Sequence, residues 1–182
     1  TIAELESAMD RLFVYDPKGY IARAGFELGP WQAYMVFPAF GGHFFDETTN
    51  RFDCVNPNNL AALRWMCRMG KRYGMKELST FNLATGSYLA GATDPFASGR
   101  VTMRIHGQWN IDIIDRAMEE GLRKFRYDTF AMPPGPGGPR NSTYVNGNFN
   151  IIPVNARHPE EAWEFMKWLT GLNGVEAAAR IS

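Results

Sequence analysis

The chain has 182 residues, 45% of them hydrophobic and 14% aromatic, and its 19 basic and 19 acidic residues leave no formal net charge. A neutral chain lacks the basic surface that nucleic acids and anionic membranes attract, and no apolar run approaches the roughly 20 residues that span a bilayer. The length is sufficient for a sizeable core, and the aromatic content suits a carbohydrate site as well as dense packing.

The first part of the chain alternates predicted helices and strands. Thr1 and Glu4 have the spacing of a capping box and open an amphipathic helix. Residues 20–28 are predicted to form a strand, which ends at a Gly-Pro break. A short, mostly apolar helix follows over residues 31–40, and Gly41-Gly42 ends it by permitting positive φ.

The next elements are a hairpin and two helical regions. Residues 43–54 are predicted to form a hairpin with a polar turn at residues 47–50. Asn56-Pro57 is an N-cap followed by proline at the first helical position, and the helix it begins is expected to reach residues 73–74. Residues 81–98 are predicted to form one further helix or two short ones.

The segment from Pro95 to Trp109 is the most informative part of the chain. Its alternating apolar residues predict a short strand that ends at Gly107, and a helix begins near Trp109; the alternating residues are Val101, Met103 and Ile105. An aromatic residue at this point would lie at the carboxyl edge of a sheet, where α/β folds bind ligands. The alternative is an ordinary strand–turn–helix with Trp109 in the core.

The last part of the chain changes composition. Residues 125–132 are predicted to form a strand, whereas the proline- and glycine-rich residues 133–139 fit only a connector. Residues 143–154 are expected to be extended. His158 then caps a helix whose apolar residues fall on one face, namely Ala162, Phe165, Met166 and Leu169.

The two cysteines, Cys54 and Cys67, offer no metal site, because no histidine stands at ligand spacing. Cys67 is predicted to be a buried free thiol, and a Cys54–Cys67 disulfide is the alternative in an oxidising compartment. No cofactor motif is present, since the glycine-rich segment lacks the lysine and hydroxyl residue of a phosphate-binding loop.

An enzymatic function is not expected. A glycosidase needs two carboxylates that flank a pocket, and of the available acidic pairs only the one that includes Asp46 lies near predicted aromatic residues. The other pairs, Asp112 with Asp115 and Glu119 with Glu120, fall on solvent-facing helix positions. No nucleophile elbow occurs, so we predict no catalytic residues.

A sugar-binding site requires aromatic faces for the apolar side of a pyranose ring and amides or backbone groups for its hydroxyls. The chain supplies such groups at predicted strand ends and breaks. These candidates are Trp31, Phe40, Gly41, Gly42, Trp109, Asn110, Asn146, Gly147 and Asn148. The remaining tryptophans lie within amphipathic helices and are predicted to belong to the core; they are Trp65, Trp163 and Trp168. An aromatic-rich interaction module that binds peptide or another protein is the alternative function.

Several motifs resemble those of the family 1 extracellular solute-binding proteins, the sugar-binding components of bacterial ABC importers. Phe96-x-x-Gly-x-Val-x-Met-x-x-x-Gly-x-Trp109 resembles the family's signature segment. Further similar segments follow the family's order: Thr1-Ile-Ala-Glu-Leu with Ile2 where tryptophan is usual, Gly25-Phe26 with Trp31, Phe40-Gly-Gly-x-Phe-Phe-Asp46, Ala131-Met-Pro-Pro-Gly135, and His158-Pro-Glu-Glu-Ala-Trp-Glu-Phe165.

The resemblance implies an α/β fold with helices packed on a mixed sheet, as in one lobe of the two-lobed type II periplasmic-binding-protein fold. Residues 1–126 would form most of the second lobe, and residues 127–182 would cross the hinge and join the first. The family's ligand contacts correspond to Trp31, Gly41, Gly42 and Trp109, and more loosely to the turn at residues 146–148.

The resemblance also implies a sugar or oligosaccharide ligand, the permease subunits of an ABC importer as partners, and a periplasmic or lipid-anchored location. No nucleic-acid partner and no cofactor are expected. Because the chain opens on a helix without a signal peptide, we expect it to be a fragment that binds sugar weakly by itself. Its last amphipathic helix would then lack its neighbour, and a homodimer is expected.

Overall fold

The structure is a computed structural model that describes residues 1–85, 94–119, 121, 125–145, 147 and 149–179. The chain divides into two compact units, Thr1–Tyr144 and Val145–Ser182. The assignment of residues 1–126 and 127–182 to two lobes stays a prediction, because it concerns the intact protein. Among the described residues, no helix is both long and apolar enough to cross a bilayer.

The first unit begins with helix α1 (Ile2–Leu12), and the predicted capping box is present. Thr1 Oγ1 accepts a hydrogen bond from the Glu4 amide at 3.2 Å, and the Glu4 carboxylate accepts one from the Thr1 amino group at 2.6 Å. Both bonds satisfy donors that a helix start leaves unpaired. The antiparallel strands β1 (Val14–Tyr15) and β2 (Ile21–Arg23) follow.

The chain beyond β2 pairs in parallel with residues 100–103. The Ala24 amide donates to the Arg100 carbonyl at 2.8 Å, the Thr102 amide to the Ala24 carbonyl at 3.0 Å, and the Glu27 amide to the Met103 carbonyl at 2.9 Å. The strand predicted around residues 101–105 is therefore reduced to one parallel bridge between Ala24 and Val101. The antiparallel and parallel pairings together form a small mixed sheet, and the predicted α/β class is confirmed.

The predicted helix over residues 31–40 is present as three consecutive helical turns. A 3₁₀ turn at Pro30–Gln32 leads into α2 (Ala33–Val36), and a second 3₁₀ turn covers Phe37–Phe40. Gly41 ends the run with φ of 75°, a conformation that favours glycine. The predicted hairpin also forms, from β3 (Phe45–Asp46) and β4 (Arg51–Phe52).

Two helices complete the packing around the sheet. Helix α3 (Pro57–Tyr73) begins at Asn56, whose side chain accepts from the Asn59 amide at 2.9 Å as an N-cap. Helix α4 (Met75–Thr85) begins before the predicted residue 81 and ends at Thr85. Residues 86–93 lie outside the described part of the chain, and residues 95–99 form turns rather than a helix.

The core of this unit lies between α1, α3, α4 and the aromatic turns around α2. Trp65 is 1% exposed, so its predicted place in the core is confirmed. The larger buried members of the cluster are Leu5, Met9, Phe13, Ile21, Phe26, Leu28, Val36, Phe37, Phe40, Trp65, Met69, Tyr73, Leu78 and Phe81.

Helix α5 (Trp109–Glu119) begins where the sequence predicts it. The strand predicted at residues 125–132 is wrong, because this stretch carries no strand in the structure. Phe125 and Tyr127 instead pack their rings against Phe96, with centroids 5.6 and 6.3 Å away. The proline-rich connector is irregular as predicted, and the Gly135 amide within it donates to the Ala39 carbonyl at 2.8 Å.

The second unit contains α6 (Pro159–Thr170) and α7 (Leu172–Ala179). His158 precedes α6, but its side chain makes no capping bond and instead lies 3.8 Å from the Glu161 carboxylate. Trp163 and Trp168 are 51% and 48% exposed. The prediction that they belong to a core is wrong for this unit, because a helix pair alone has no further layer to cover its apolar face.

Both cysteines are free and exposed. The predicted burial of Cys67 is wrong, because the buried face of α3 is formed by Trp65, Met69 and Tyr73, and Cys67 lies off that face. Cys54 is at the end of the hairpin, where its thiol is 3.9 Å from the Phe44 carbonyl.

Candidate functional site

Two predicted aromatic positions follow the two extended segments that pair in parallel. Residues 24–28 run into the 3₁₀ turn that contains Trp31, and residues 101–105 run towards Gly107 and Trp109. Since parallel segments share one carboxyl edge, both chains leave the sheet on the same side, where α/β proteins bind ligands. This shared edge is the candidate site.

Trp109 presents an exposed aromatic side chain at this edge. Its side chain is 57% exposed although the residue opens a helix whose inner face is buried. The indole lies over Gly107, because a Cβ added there would be 2.0 Å from Trp109 Cζ3. The His106 ring meets the indole edge-on, with centroids 5.6 Å apart. The aromatic surface is therefore held against the backbone and left open to solvent.

A buried ion pair lies beside this aromatic surface. The Arg104 guanidinium donates to both carboxylate oxygens of Asp94, each at 3.0 Å, and the two side chains are only 6% and 5% exposed. Arg104 also donates to Oδ1 of Asn110, which is 7% exposed. Its guanidinium carbon lies 5.2 Å from the centre of the Phe96 ring. The first turn of α5 is thereby joined to the sheet by a charge-assisted bond.

Glu27 adds a second carboxyl group near this pair. Burial raises the pKa of Glu27 to about 7, with the Arg104 charge acting against that rise and the Asp94 charge adding to it. Burial, together with the Arg104 charge, lowers the pKa of His106. Buried polar atoms without a partner in the structure include Glu27 Oε2, Arg104 Nε and His106 Nδ1. Such atoms are costly unless water or a ligand satisfies them.

Trp31 lies within the 3₁₀ turn Pro30–Gln32. The following Gln32 is 1% exposed, and its Oε1 accepts from the Gly29 amide while its Nε2 has no partner. The predicted role of Trp31 as a ligand contact stays a prediction.

The predicted contacts Phe40, Gly41 and Gly42 have clear backbone and packing roles. Phe40 is 3% exposed and lies against Trp65, with ring centroids 6.0 Å apart. The Gly41 carbonyl accepts from Asn58 Nδ2 at 2.9 Å. A Cβ at Gly42 would lie 2.0 Å from Asn59 Oδ1, so only glycine lets α3 approach this closely. Their proposed contact with sugar stays a prediction.

The other predicted site residues are placed differently. Asn110 is buried beneath the edge, where it accepts from Arg104. Gly147 belongs to the second unit. Asn146 and Asn148 lie outside the described residues, so the predicted polar turn at residues 146–148 stays a prediction.

Of the acidic residues considered for catalysis, Asp112, Asp115 and Glu119 are exposed on α5, and Glu120 lies outside the described residues. Asp46 is the last residue of β3, where its carboxylate accepts from the Thr48 amide at 2.9 Å and from the Thr49 hydroxyl at 2.8 Å. The Thr49 hydroxyl bond and the Thr48 amide bond lower the pKa of Asp46. Asp112 pairs with Arg116 at 3.1 Å on the exposed side of α5. Within the described ranges, no cluster of histidine, cysteine and acidic residues is suited to a metal ion.

Sequence reasoning missed Glu27, Asp94 and Arg104. Arg104 alternates with the apolar residues that predict a strand, which points to a solvent-facing side. In the structure both faces of this segment are covered, as is usual for parallel pairing. The available signal for this ion pair was the presence of a charged residue, Arg104, within a segment that pairs in parallel.

Comparison with known proteins identifies the family of the chain. The family model described as bacterial extracellular solute-binding protein matches residues 11–182. Two similar solved structures are CpMnBP1 with mannobiose bound, at TM-score 0.78 and 28% identity, and CpMnBP1 with mannotriose bound, at TM-score 0.75 and 26% identity. Each match covers 98% of this chain, but the chain spans only 44% and 45% of those structures.

Proposed function

Because the chain belongs to the bacterial extracellular solute-binding protein family, we propose that it is part of the substrate-binding component of an ABC importer. In this role the protein captures a sugar or oligosaccharide outside the cytoplasmic membrane and delivers it to the permease subunits. Its location would be the periplasm, or the cell surface with a lipid anchor.

The observation that carries the proposal is the exposed indole of Trp109 at the carboxyl edge of the parallel pair. A large exposed aromatic surface beside buried polar groups fits a pyranose, whose C–H face stacks on rings while its hydroxyls take hydrogen bonds. His106, whose ring lies against the indole, is the polar side chain beside this surface.

The proposed ligand is a short manno-oligosaccharide. The two similar structures carry mannobiose and mannotriose, and their aligned parts are 28% and 26% identical in sequence to this chain. Aromatic stacking by itself accepts most pyranoses, so the choice of mannose depends on the hydroxyl contacts. We propose that those contacts come from both lobes of the protein.

The chain spans less than half of the length of the two mannoside-binding structures, and this lowers the affinity for sugar that we expect of the chain alone. We propose that residues 1–126 form most of one lobe and that residues 127–182 cross the hinge to the other. Closure of two lobes excludes water from the ligand and supplies opposing hydrogen bonds. The chain alone is therefore expected to bind sugar weakly.

The same site is proposed to bind without turning over its ligand. A glycosidase needs one carboxylic acid with a raised pKa close to a second carboxylate. Asp46, at the end of β3, has a lowered pKa, and the Asp94 carboxylate is fully engaged by Arg104 and backbone amides. Glu27 has a raised pKa, but it lies beside the Asp94–Arg104 pair in the protein interior.

The proposal is tested by calorimetric titration of the full-length protein with a sugar panel. Mannobiose and mannotriose are compared with maltose, cellobiose and the monosaccharides. Saturable binding of the mannosides with a dissociation constant in the micromolar range or below supports the proposal. Heats that stay at the level of dilution for every sugar, with the protein folded, would contradict it.

A further inference from the structure

The Asp94–Arg104 pair connects three separate parts of the candidate site. Asp94 Oδ1 accepts from the backbone amides of Phe96 and Ala97 at 2.9 and 2.8 Å, which fixes the turn before the parallel segment. Arg104 lies in the segment itself and donates both to Asp94 and to Asn110 in the first turn of α5. Turn, segment and helix start are thus joined by one guanidinium.

A pair of this kind is poorly explained by stability alone. The free energy needed to remove two charges from water is about as large as the stabilisation from their attraction. A protein with apolar residues in place of the pair is therefore often equally stable. Both charged side chains are more than nine-tenths buried. What a bidentate arginine does supply is geometry, because its planar fork fixes the direction of each partner.

The side chain whose orientation matters here is the Trp109 indole. The residue is next to Asn110, and its own side chain is more than half exposed. Gly107 and His106 contact one part of the indole, and the rest of the ring is open to solvent. The orientation of the ring therefore depends on how firmly the first turn of α5 is held, and Asn110 is the point at which Arg104 holds it.

We propose that Asp94 and Arg104 are positioning residues: through Asn110 they fix the first turn of α5 and so orient the Trp109 indole for stacking on a sugar. The stacking part rests on the proposed function, whereas the orientation of the indole does not. Since a binding surface that is already oriented pays less entropy on association, loss of the pair lowers affinity without removing any ligand contact.

The first test uses no sugar. The full-length protein is labelled with 5-fluorotryptophan, and the ¹⁹F signal of Trp109 is assigned by its loss in Trp109→Ala. In Arg104→Lys, which keeps the charge but loses the fork, and in Asn110→Ala, this signal is expected to shift and broaden or split. The signal of the buried Trp65 stays in place and reports an intact fold. Asp115→Asn, at an exposed position beyond the first turn of the same helix, is the matched control and leaves the Trp109 signal unchanged.

The second test measures mannotriose affinity in the same variants. Arg104→Lys and Asn110→Ala are each expected to weaken binding roughly tenfold, within the usual range for coupled neighbours. In a Trp109→Ala background neither substitution has a further effect, because the indole they orient is gone. An effect that persists in that background would mean that Arg104 or Asn110 contacts the sugar directly, and this would overturn the proposal.

The two tests separate the positioning proposal from the proposed function. A Trp109 signal that is unchanged in both variants, while the Trp65 signal shows a folded protein, overturns the positioning role whatever the sugar results are. Wild-type protein that binds no sugar contradicts the proposed function and leaves the ¹⁹F result to decide the orientation. If Arg104→Lys fails to fold, Asn110→Ala decides, because it leaves the Asp94–Arg104 pair intact.

Discussion

Gly107 and Trp109 are in such close contact that no side chain fits between them: a Cβ on residue 107 would lie 2.0 Å from Cζ3 of the indole. Glycine at this position therefore lets the aromatic ring lie on the backbone at the end of the parallel segment. The same spacing, glycine followed two residues later by tryptophan, is part of the motif on which the family resemblance rests.

Gly107→Ala is predicted to weaken sugar binding about as much as loss of the indole itself. The new methyl group displaces the ring, which is free to swing into solvent because Trp109 is 57% exposed. The free energy of unfolding should change by less than about 1 kcal/mol, since no core group moves. Calorimetry and denaturant unfolding check both parts. A further loss of affinity when Gly107→Ala is added to Trp109→Ala would show that Gly107 acts independently of the indole.

Glu27 is predicted to make the protein less stable as pH rises from about 4.5 to about 7. Its pKa in the folded protein is about 7 against 4.5 for an ordinary glutamate side chain, so the folded state holds the proton over this window and the unfolded state does not. The stabilising effect is complete below the lower value and is lost as pH rises through the higher one. At about 1.4 kcal/mol per pKa unit, the loss amounts to roughly 3 kcal/mol.

Denaturant unfolding at about pH 5 and pH 8 measures this effect by comparing the wild type with Glu27→Gln. The Arg104 and Asp94 charges act on this carboxyl, and His106, whose pKa is lowered, contributes in the opposite sense by losing stability as pH falls. Their contributions are present in both proteins and cancel in the difference. Glu47→Gln, at an exposed turn position, is the control that keeps the wild-type pH profile. A Glu27→Gln profile that parallels the wild type would contradict the prediction.

Local signals in the sequence were sufficient for much of the fold. The Thr1–Glu4 capping box, the positive φ of Gly41 and the Asn56 cap depend on residues within a few positions of each other, and all three are found in the structure. The prediction of a strand at residues 125–132 was wrong because the packing of the Phe125 and Tyr127 rings on Phe96 outweighs the strand preference of these residues.

The site was only partly predictable for a related reason. Trp109 could be proposed because its motif is local, and its side chain is exposed in the structure, but its contact with sugar stays a prediction. The Asp94–Arg104–Asn110 network depends on how the turn, the segment and α5 meet in space. The alternation of apolar and polar residues along 101–105 predicts which face of the strand each side chain lies on. It does not reveal that both faces are covered by other parts of the protein.

No glycoside turnover is predicted, even for the proposed ligands. The exposed Asp46 carboxylate is stabilised in its ionised form by the Thr49 hydroxyl and the Thr48 amide, which is the wrong state for a general acid at neutral pH. Incubation with mannobiose, mannotriose and aryl glycosides is expected to release no product over many hours. Product release that disappears in Asp46→Asn would contradict this account.

The 182-residue chain by itself is predicted to form a homodimer through its second unit. The apolar side of α6 and α7 is exposed there, and burying each large side chain contributes about 1.5–3 kcal/mol. The exposed residues include Trp163, Phe165, Trp168, Leu172 and Val175. Light scattering across a concentration series is expected to show a dimer that Phe165→Ser shifts towards monomer. Leu83→Ser, at a more exposed apolar position in α4, serves as the control; a monomer at high concentration would contradict the prediction.

Replacement of Trp109 by alanine tests the central claim most directly. In calorimetric titrations of the full-length protein with mannotriose, Trp109→Ala is predicted to weaken binding by about 1–3 kcal/mol, a usual cost for a central aromatic anchor. Its melting temperature should stay within a few degrees, because the indole is 57% exposed, whereas Trp65→Ala in the core should lower it strongly. An unchanged affinity accompanied by a large loss of stability would show that Trp109 is a packing residue and that the sugar site lies elsewhere.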